Sequence, residues 1–414
     1  DDRILFTTFS KSLAADIRDN LKTLCDGEVH PRIEVVHLHS WAARQVRRGG
    51  ARIDIASQAA KKSAWDHAIG VHGTDRFTSL FIRDEWEHVV QQKGVRTREE
   101  YLRTSRRGRG GPRLRKADRE FLWGVFETYR ERLDDAGLAE FPDVIRIARE
   151  QVSAGKAQLP YRAAIVDETQ DLGTNDLKLI RAIVPEGKND LFLVGDAHQR
   201  IYAHPQTLSS CDINIKGRGR KLRVNYRTTH EIRQFAMAAL KGVDIDDLDG
   251  SVDDFKGYTS LLSGAEPVVE WHKTKDEEVE FVVERVKSLL DVGNETQELC
   301  VVGPQVWELE NLYAPALRDA GVETLLISTE ESVRGRPGVR LCTMHRVKGL
   351  EFRHVLLAGL GDTRFPRVDK EADPKDRVYA RIHETQQRCL FFVASTRARE
   401  TLSVSGWGDR GYLP

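Results

Sequence analysis

Residues 165–171 have the sequence IVDETQD, in which two apolar β-branched residues run into a pair of carboxylates. Such residues favour a buried strand, and in open α/β sheets ligands bind beyond the carboxyl ends of the strands. Asp167 at such an end is suited to a Mg²⁺ shell, and Glu168 to polarising a water that attacks a phosphate. A carboxylate pair after an apolar run also occurs at solvated strand ends and helix caps, so this interpretation depends on further motifs.

The bulk composition indicates a globular protein of two or three domains. The chain has 414 residues, with 40% hydrophobic and 31% charged side chains. Its 64 basic and 64 acidic side chains balance, so net charge does not point to a nucleic-acid ligand. The five cysteines are far apart and form no C-x-x-C pair, which argues against a zinc site or a disulfide framework. This usage, together with the lack of an apolar run of membrane-spanning length, predicts a cytoplasmic protein that does not enter membranes.

Apolar strand patterns alternate with helical ones twice along the chain, which predicts two parallel α/β domains. We expect a first α/β domain from residues 1–41 and 136–225, and a second from 226–414. Residues 42–135 show mostly helical patterning and are predicted to form an insertion in the first domain. The N-terminus, which lacks an initiator Met and a signal-peptide pattern, is expected to be a cut end.

Individual elements follow from the same patterns. Apolar spacing near 3.6 residues predicts helices at 11–24 and 306–320, and apolar runs predict strands at 222–225 and 339–343. The tryptophans of the helical block, Trp65, Trp86 and Trp123, are expected to pack in a core and not to contact DNA.

Two further segments carry residue types that phosphate and nucleic-acid chemistry uses. In LVGDAHQRIY at residues 193–202, Gln199 can sense a γ-phosphate and Tyr202 offers a flat face to a base. In LRVNYRT at residues 222–228, Tyr226 can stack on adenine and Arg227 can reach a γ-phosphate. Taken alone, the first segment could be a turn with a core tyrosine, and the second a surface arginine beside a half-buried tyrosine.

Two more such segments lie near the C-terminus, TMHRVKGLEF at residues 343–352 and VASTRAR at 393–399. Arg397 follows an apolar stretch, as expected for an arginine that a rigid element presents to a transition state. The five segments IVDETQD, LVGDAHQRIY, LRVNYRT, TMHRVKGLEF and VASTRAR together resemble motifs II to VI of the UvrD/Rep family of superfamily 1 DNA helicases. TTFSK at residues 7–11 and HSW at 39–41 are similar to the family's two DNA-contacting motifs, Ia and Ib.

The resemblance implies two RecA-like domains, an ATP and Mg²⁺ site in the cleft between them, and single-stranded DNA or a single-strand/duplex junction as partner. It implies that 3′→5′ translocation is driven by ATP hydrolysis. The residues that it assigns to catalysis are Asp167 (also the metal ligand), Glu168, Gln199, Arg227 and Arg397. Those assigned to the nucleotide are Tyr226, Lys348, Gly349 and Glu351. Those assigned to DNA are Thr8, Phe9, His39, Trp41, Tyr202, His204, Thr343 and His345.

The sequence departs from the family pattern at three places. No G-x-x-x-x-G-K-[S/T] phosphate loop occurs in the 414 residues, so we expect the chain to begin after it and to hydrolyse ATP very poorly alone. The large insertion of the second motor domain is missing between residues 327 and 339, so unwinding is expected to depend on a protein partner. His204 and Pro205 replace an aromatic residue and an arginine, which weakens base contact at this point.

The basic run from Arg96 to Arg119, with ten Arg or Lys against three acids, is interpreted as a contact to the DNA backbone through Arg106, Arg107 and Arg109. The alternative for this run is a solvated charged loop. For the whole chain, the main hypothesis is an ATP-dependent DNA translocase and helicase. The alternatives are a nucleic-acid-binding homologue without ATPase activity and the motor subunit of a nuclease or defence complex.

Overall fold

A computed structural model describes residues 2–51, 53–73, 76–106, 112–155, 159–202, 207–245, 248, 252, 257–327, 335–361, 364–367, 376–411 and 413–414. Within these ranges, no helix has the length and apolar character needed to cross a bilayer. The described residues form two large parallel sheets, two short pairs of strands and a separate helical unit, which confirms the predicted α/β class with two RecA-like domains.

The first motor domain is built on a four-stranded parallel sheet that is covered by helices. Its strands are β1 (Arg3–Thr8), β2 (Ile33–His37), β5 (Tyr161–Val166) and β6 (Leu191–Leu193), and its first two helices are α1 (Lys11–Leu24) and α2 (Leu38–Arg48). Strand β1 lies between β2 and β5, and β6 forms the edge beside β5. Because the strands are parallel, Thr8, His37 and Val166 all lie at the carboxyl edge, and the residues that follow them meet there.

A helical insertion follows α2, with a hydrophobic core of its own drawn from residues 56–133. Its elements are β3 (Asp54–Ile55), α3 (Gln58–His72), α4 (Ser79–Glu85), a π-helix (Trp86–Gln91), α5 (Arg98–Arg103), α6 (Lys116–Asp135) and β4 (Leu138–Ala139). Strands β3 and β4 pair in parallel, so the chain enters and leaves the insertion at neighbouring positions. Trp65, Trp86 and Trp123 are buried in this core, as the sequence predicted.

The chain then completes the first motor domain and crosses to the second. The remaining elements of this part are α7 (Phe141–Ser153), α8 (Thr174–Ile183), β7 (Val224–Asn225), α9 (His230–Ala238) and β8 (Thr259–Ser260). Ala197 and Ile201 already pack in the core of the second domain, so the segment that follows β6 bridges the two domains.

The second motor domain has a six-stranded parallel sheet. Its elements are β9 (Val268–His272), α10 (Lys275–Asp291), β10 (Leu299–Gly303), α11 (Val306–Glu308), α12 (Ala314–Asp319), β11 (Thr324–Leu326), β12 (Val339–Thr343), β13 (Phe352–Leu360), α13 (Arg377–Ser395) and β14 (Ala398–Trp407). The strand order is β11-β12-β10-β13-β14-β9. The central strands are buried along almost their whole length, as expected for a parallel sheet with helices on both faces.

The structure differs from the sequence predictions in three details. Helix α2 packs in the core of the first sheet, so the independent core of the insertion begins at Ala56 instead of residue 42. The strand predicted at 222–225 is reduced to β7, which pairs with β8 instead of a main sheet. A π-helix at Leu309–Tyr313 interrupts the single helix predicted for residues 306–320.

Candidate functional site

Asp167 is the first residue beyond β5, at the carboxyl edge of the first sheet. Its backbone N–H donates to the carbonyl of Thr7 on β1 (2.9 Å), which fixes its position at the strand end. Its Oδ1 accepts the backbone N–H of Glu168 (2.9 Å). Burial, followed by the neighbouring charge of Glu168, raises the pKa of Asp167. A divalent cation would relieve both effects, so this carboxylate fits the Mg²⁺ ligand that the sequence predicted.

Glu168 has a left-handed backbone, with φ of 53°, which is unusual for a residue with a side chain. The turn is held because the next N–H, of Thr169, donates to the carbonyl of Val194 (3.0 Å) beyond β6. The Oε2 of Glu168 accepts a 2.5 Å hydrogen bond from Nε2 of Gln170. The same Oε2 lies 3.4 Å from Nζ of Lys348, so the carboxylate faces the second domain.

Gln199 lies on a short 3₁₀ turn, Ala197–Gln199, that follows β6. Its amide is bonded at both ends. The Nε2 group donates to Oδ2 of Asp196 (2.8 Å), and Oε1 accepts from Nη2 of Arg397 (3.1 Å). Gln199 therefore joins Asp196 to Arg397, which the second motor domain supplies.

Arg397 lies in the tight connection between α13 and β14 and is only 3% exposed. Its Nε donates to the carbonyl of Val393 (2.9 Å), which orients the guanidinium toward Gln199. Burial, followed by the charge of Arg227, lowers the pKa of Arg397 to about 10, so it remains a cation at neutral pH. A buried cation at this position is suited to stabilising charge on a transferring phosphoryl group.

Lys348 reaches from the second motor domain into the first and contacts three of its groups. Its Nζ donates to Asp171 Oδ2 and to the carbonyl of Gln199 (2.7 Å), and lies 3.4 Å from Oε2 of Glu168. Burial raises the pKa of Asp171 to about 6, although the Lys348 charge opposes that rise. The ammonium also lies 6.0 Å from the ring centroid of Tyr202. Lys348 therefore links Glu168, Asp171 and Gln199 to the aromatic side chain of Tyr202.

The outer part of the cleft holds the other residues assigned to the nucleotide. Nη2 of Arg227 pairs with Oε1 of Glu351 at 2.6 Å, and both side chains are partly exposed. The ring of Tyr226 is 72% exposed, as a platform for a base must be before a ligand arrives. Gly349 has a φ of 84°, a left-handed conformation that favours glycine, within the turn that leads to Glu351.

Aromatic side chains form a row along the carboxyl edges of both sheets, which we call the aromatic row. The ring of Phe9 stacks on Tyr202 (centroids 5.2 Å apart), and Tyr202 is followed by His345 of the second domain (5.9 Å). In the other direction, Phe9 meets the edge of His39 (6.5 Å), which stacks on Phe141 (5.5 Å). Such a row offers flat, sequence-tolerant faces to bases.

His39 is fixed within this row by Asp176, whose Oδ1 lies 3.2 Å from its Nε2. Burial lowers the pKa of His39, but the hydrogen bond and the charge of Asp176 more than offset it, so the net shift is upward. Burial and the neighbouring His39 lower the pKa of His37 to about 4. The positive charge of the two histidines is therefore expected on His39.

Comparison with known protein families agrees with this geometry. The profile of the UvrD/REP helicase N-terminal domain matches residues 1–207, and that of the UvrD-like helicase C-terminal domain matches residues 307–407. The chain belongs to the UvrD/REP helicase family. The matched regions include the carboxyl ends of β5, β6 and β12 described above, whereas LRVNYRT at residues 222–228 lies between the two regions.

Among relatives of this UvrD-type chain is the ATP-dependent DNA helicase UvrD2 of Mycobacterium tuberculosis, 24% identical over 355 residues (77% of this chain and 48% of the relative). A probable DNA helicase of Mycoplasma pneumoniae is 23% identical over 290 residues (67% and 50%). An ATP-dependent helicase/nuclease subunit of Lactobacillus helveticus is 24% identical over 206 residues (40% and 17%). The UvrD-type chain thus spans about half the length of the first two relatives, and less of the third.

Several residues that the sequence assigned to DNA are placed elsewhere in this UvrD-type structure. Trp41 is a core residue that is 4% exposed, and its Nε1 donates to the hydroxyl of Tyr161 (3.0 Å). Thr8 and Thr343 are buried at the ends of their strands and offer little surface to a ligand. Four other residues assigned to DNA have aromatic rings that lie together at the carboxyl edges of the sheets. They are Phe9, His39, Tyr202 and His345.

The assignment of Arg106 to DNA also needs correction. Its guanidinium makes three hydrogen bonds of 2.8–3.0 Å to the carboxylate of Glu85, which is fully buried. Only 11% of the Arg106 side chain is exposed. Its role in this UvrD-type chain is therefore to neutralise a buried acid in the insertion. Arg107, Arg109 and His204 lie outside the described residues.

Sequence reasoning missed two residues of this UvrD-type site. Phe141, 46% exposed, begins α7 and extends the aromatic row, but nothing in the local sequence distinguishes it from a surface residue. Gln170 lies inside the carboxylate motif and is only 2% exposed. One signal could have identified it. Gln170 is an uncharged amide between acidic residues, and a solvated loop would not require an amide at that position.

Proposed function

We propose that this protein uses ATP hydrolysis to move along single-stranded DNA. The observation that carries the proposal is the hydrogen bond between Gln199, on the segment after β6 that bridges the two domains, and Arg397 of the second domain. It joins the two domains close to Glu168, whose charge Arg397 also feels. Hydrolysis that needs groups from both domains depends on closure of the cleft, so turnover can drive opening and closing.

The residues at the cleft fit Mg²⁺-ATP. Asp167 would hold the metal, Glu168 would orient the attacking water, and Arg227 and Arg397 would contact the γ-phosphate. Tyr226 would stack on the adenine, and Glu351 would exchange its contact with Arg227 for the ribose. Mg²⁺ would supply Lewis-acid stabilisation of charge on the phosphoryl oxygens. Arg227 and Glu351 are paired and partly exposed, which supports their release when a nucleotide enters.

The aromatic row fits single-stranded DNA whose bases are unpaired and free to stack. Its members come from both motor domains, with Phe9 and Tyr202 on one side and His345 on the other. Relative motion of the domains would therefore change the spacing of the stacking faces, which is what stepping along a strand requires. The 3′→5′ direction is proposed on the family resemblance.

We further propose that the 414 residues alone hydrolyse ATP poorly. They contain no phosphate-loop sequence, and backbone N–H groups that would cradle the phosphates are needed beside Asp167. The edge of the first sheet next to this position is apolar and exposed, with Phe192 at 65% and Val194 at 40%. A further strand paired at this edge would support a phosphate loop at the carboxyl end of the sheet.

The test is ATP hydrolysis with and without single-stranded DNA, for the 414-residue chain and for the product of the complete reading frame. We expect strong stimulation by DNA in the longer product and little hydrolysis by the chain alone. If neither protein hydrolyses ATP but both bind DNA, the enzyme proposal is overturned and a DNA-binding homologue is favoured.

A second candidate is a motor that unwinds DNA only together with a protein partner. It is favoured by the short connection between β11 and β12, residues 327–338, and by the similarity to a helicase/nuclease subunit. Unwinding of a tailed duplex by the purified complete product alone would overturn it. Translocation on single strands without unwinding would support it.

A further inference from the structure

Gln170 is a buried side chain that connects two separate parts of the cleft. Its Nε2 donates to Oε2 of Glu168 (2.5 Å), and its Oε1 accepts the backbone N–H of Asp196 (3.0 Å). Both polar ends are therefore used, so the amide has one orientation. One side chain joins the carboxylate motif after β5 to the Gly-Asp turn after β6.

The connection continues beyond Asp196 to the second motor domain. Oδ2 of Asp196 accepts from Nε2 of Gln199 (2.8 Å), and Oε1 of Gln199 accepts from Nη2 of Arg397 (3.1 Å). Two glutamine amides, arranged in series, thus link the carboxylate of Glu168 to the guanidinium of Arg397. We call this set, Glu168, Gln170, Asp196, Gln199 and Arg397, the amide relay.

We propose that Gln170 is a positioning residue that holds the Glu168 carboxylate in the orientation needed to activate water and couples that orientation to Arg397. The proposal rests on the proposed ATPase function and deepens it. Lys348 lies 3.4 Å from the same Oε2 atom and attracts the carboxylate toward Asp171. Without the Gln170 bond, Glu168 would follow that attraction and turn away from the attacking water.

Gly195 supports the relay by leaving room for Gln170. A Cβ atom at position 195 would lie 2.8 Å from Oε1 of Gln170 and 3.3 Å from its backbone nitrogen. The first of these distances is shorter than van der Waals contact allows. An alanine at this position would therefore displace the acceptor end of the amide while leaving Gln170 itself in place.

The test uses the product of the complete reading frame, in which the proposed DNA-stimulated hydrolysis is measured. Gln170→Met keeps the length and burial of the side chain but removes both hydrogen bonds. We expect kcat for DNA-stimulated hydrolysis to fall about 10- to 100-fold, because small displacements of a catalytic group have effects of that size. The affinity for a fluorescent ATP analogue should stay within about 3-fold, since Gln170 acts on water positioning and not on nucleotide binding.

A double-mutant cycle separates positioning from general damage. If Gln170 acts through Glu168, then Gln170→Met added to Glu168→Gln should reduce single-turnover hydrolysis by less than about 3-fold. Gly195→Ala is an independent perturbation of the amide relay. On its own it should lower kcat, and combined with Gln170→Met it should cause little further loss of kcat. Gln45→Met is the matched control, because Gln45 is a similarly buried glutamine (7% exposed) on α2, outside the cleft.

Three results would overturn the proposal: unchanged kcat in Gln170→Met, full additivity with Glu168→Gln, or equal losses in Gln170→Met and Gln45→Met. Failure of the proposed function is distinguishable from these, because the wild-type product would then show no DNA-stimulated hydrolysis. If Gln170→Met strongly lowers the unfolding temperature, the Gly195→Ala protein is used to test the amide relay instead. An unchanged kcat in Gly195→Ala would then contradict the proposal.

Discussion

The water-activating role that we propose for Glu168 requires one fixed orientation of its carboxylate, and both its backbone and the Gln170 amide restrict that orientation. Its left-handed turn is fixed by the backbone N–H of Thr169, which donates to the carbonyl of Val194. Strain of this kind persists only where the surroundings over-determine it. At the residue scale, the site is therefore organised before any nucleotide arrives.

Glu168→Gln keeps the size of the side chain but removes its ability to take a proton. In the complete product, we expect kcat for ATP hydrolysis to fall about 10²- to 10⁴-fold, the range for loss of a general base. ATP binding, measured by equilibrium titration, should change by less than about 3-fold. Retained turnover would remove Glu168 from the catalytic role.

The His39–Asp176 pair predicts a pH-dependent stability. The pKa of His39 is raised in the folded protein, so the pair stabilises the fold below the ordinary histidine pKa and loses this effect as pH rises through the folded value. Asp176→Asn should therefore lower the unfolding temperature more at about pH 5.5 than at about pH 8.5. His39→Gln is the control that should abolish the difference, and an equal loss at both pH values would contradict the prediction.

At the element scale, the bounds of helices and strands were predicted best where a single hydrophobic pattern dominated the segment. Helix α1 and strand β12 begin and end at the predicted residues, because amphipathic spacing and a continuous apolar run leave little choice. The positions of Asp167, Glu168 and Gln199 could also be predicted, since the first two directly follow β5 and Gln199 lies on the turn after β6.

Residues whose roles depend on distant partners could not be predicted in the same way. Trp41 lies in a segment similar to a DNA-contacting motif, but its indole bonds to Tyr161, which lies 120 residues away. Arg106 belongs to a basic run in the sequence, but its guanidinium pairs with the buried Glu85. In both cases the tertiary packing determines whether the side chain is buried or exposed, and this could not be predicted from the neighbouring residues in the sequence.

The Arg106–Glu85 pair predicts a structural defect in place of a DNA-binding defect. Arg106→Ala would leave the Glu85 carboxylate buried without the three hydrogen bonds from the guanidinium. We expect about 3 kcal/mol or more of destabilisation of the insertion, as is typical when one partner of a buried pair is removed. The measurement is the midpoint of urea unfolding.

The matched control for that experiment is Arg98→Ala. Arg98 pairs with Glu120 at 2.6 Å, but the two side chains are 48% and 35% exposed. The expected change is about 1 kcal/mol or less, because exposed pairs contribute little. Wild-type stability of Arg106→Ala together with weaker DNA binding would restore the original assignment of Arg106 to DNA.

At the scale of the whole molecule, Lys348 is a single side chain from the second motor domain that contacts Asp171, Gln199 and Glu168 of the first. Only 8% of it is exposed. Lys348→Ala would remove these cross-domain contacts and leave the buried Asp171 carboxylate without its cation. We expect DNA-stimulated hydrolysis by the complete product to fall at least about 10-fold, because both domains contribute to the transition state.

The DNA affinity of the Lys348→Ala protein, measured without nucleotide, should change by less than about 3-fold, since the aromatic row remains. Lys22→Ala, at an exposed lysine (58%), is the control and should behave as wild type. Equal losses of hydrolysis and of DNA affinity would show that Lys348 supports the fold and not the coupling between domains.

The paired strands β3 and β4 have a consequence for how such proteins diversify. Asp54 pairs with Leu138 and Ile55 with Ala139, so the chain leaves the motor and returns to it at adjacent positions. The entropic cost of closing a loop grows only with the logarithm of its length. Insertions of very different size would therefore fit at this junction at similar entropic cost, without moving the sheet edge that holds Asp167 and Glu168.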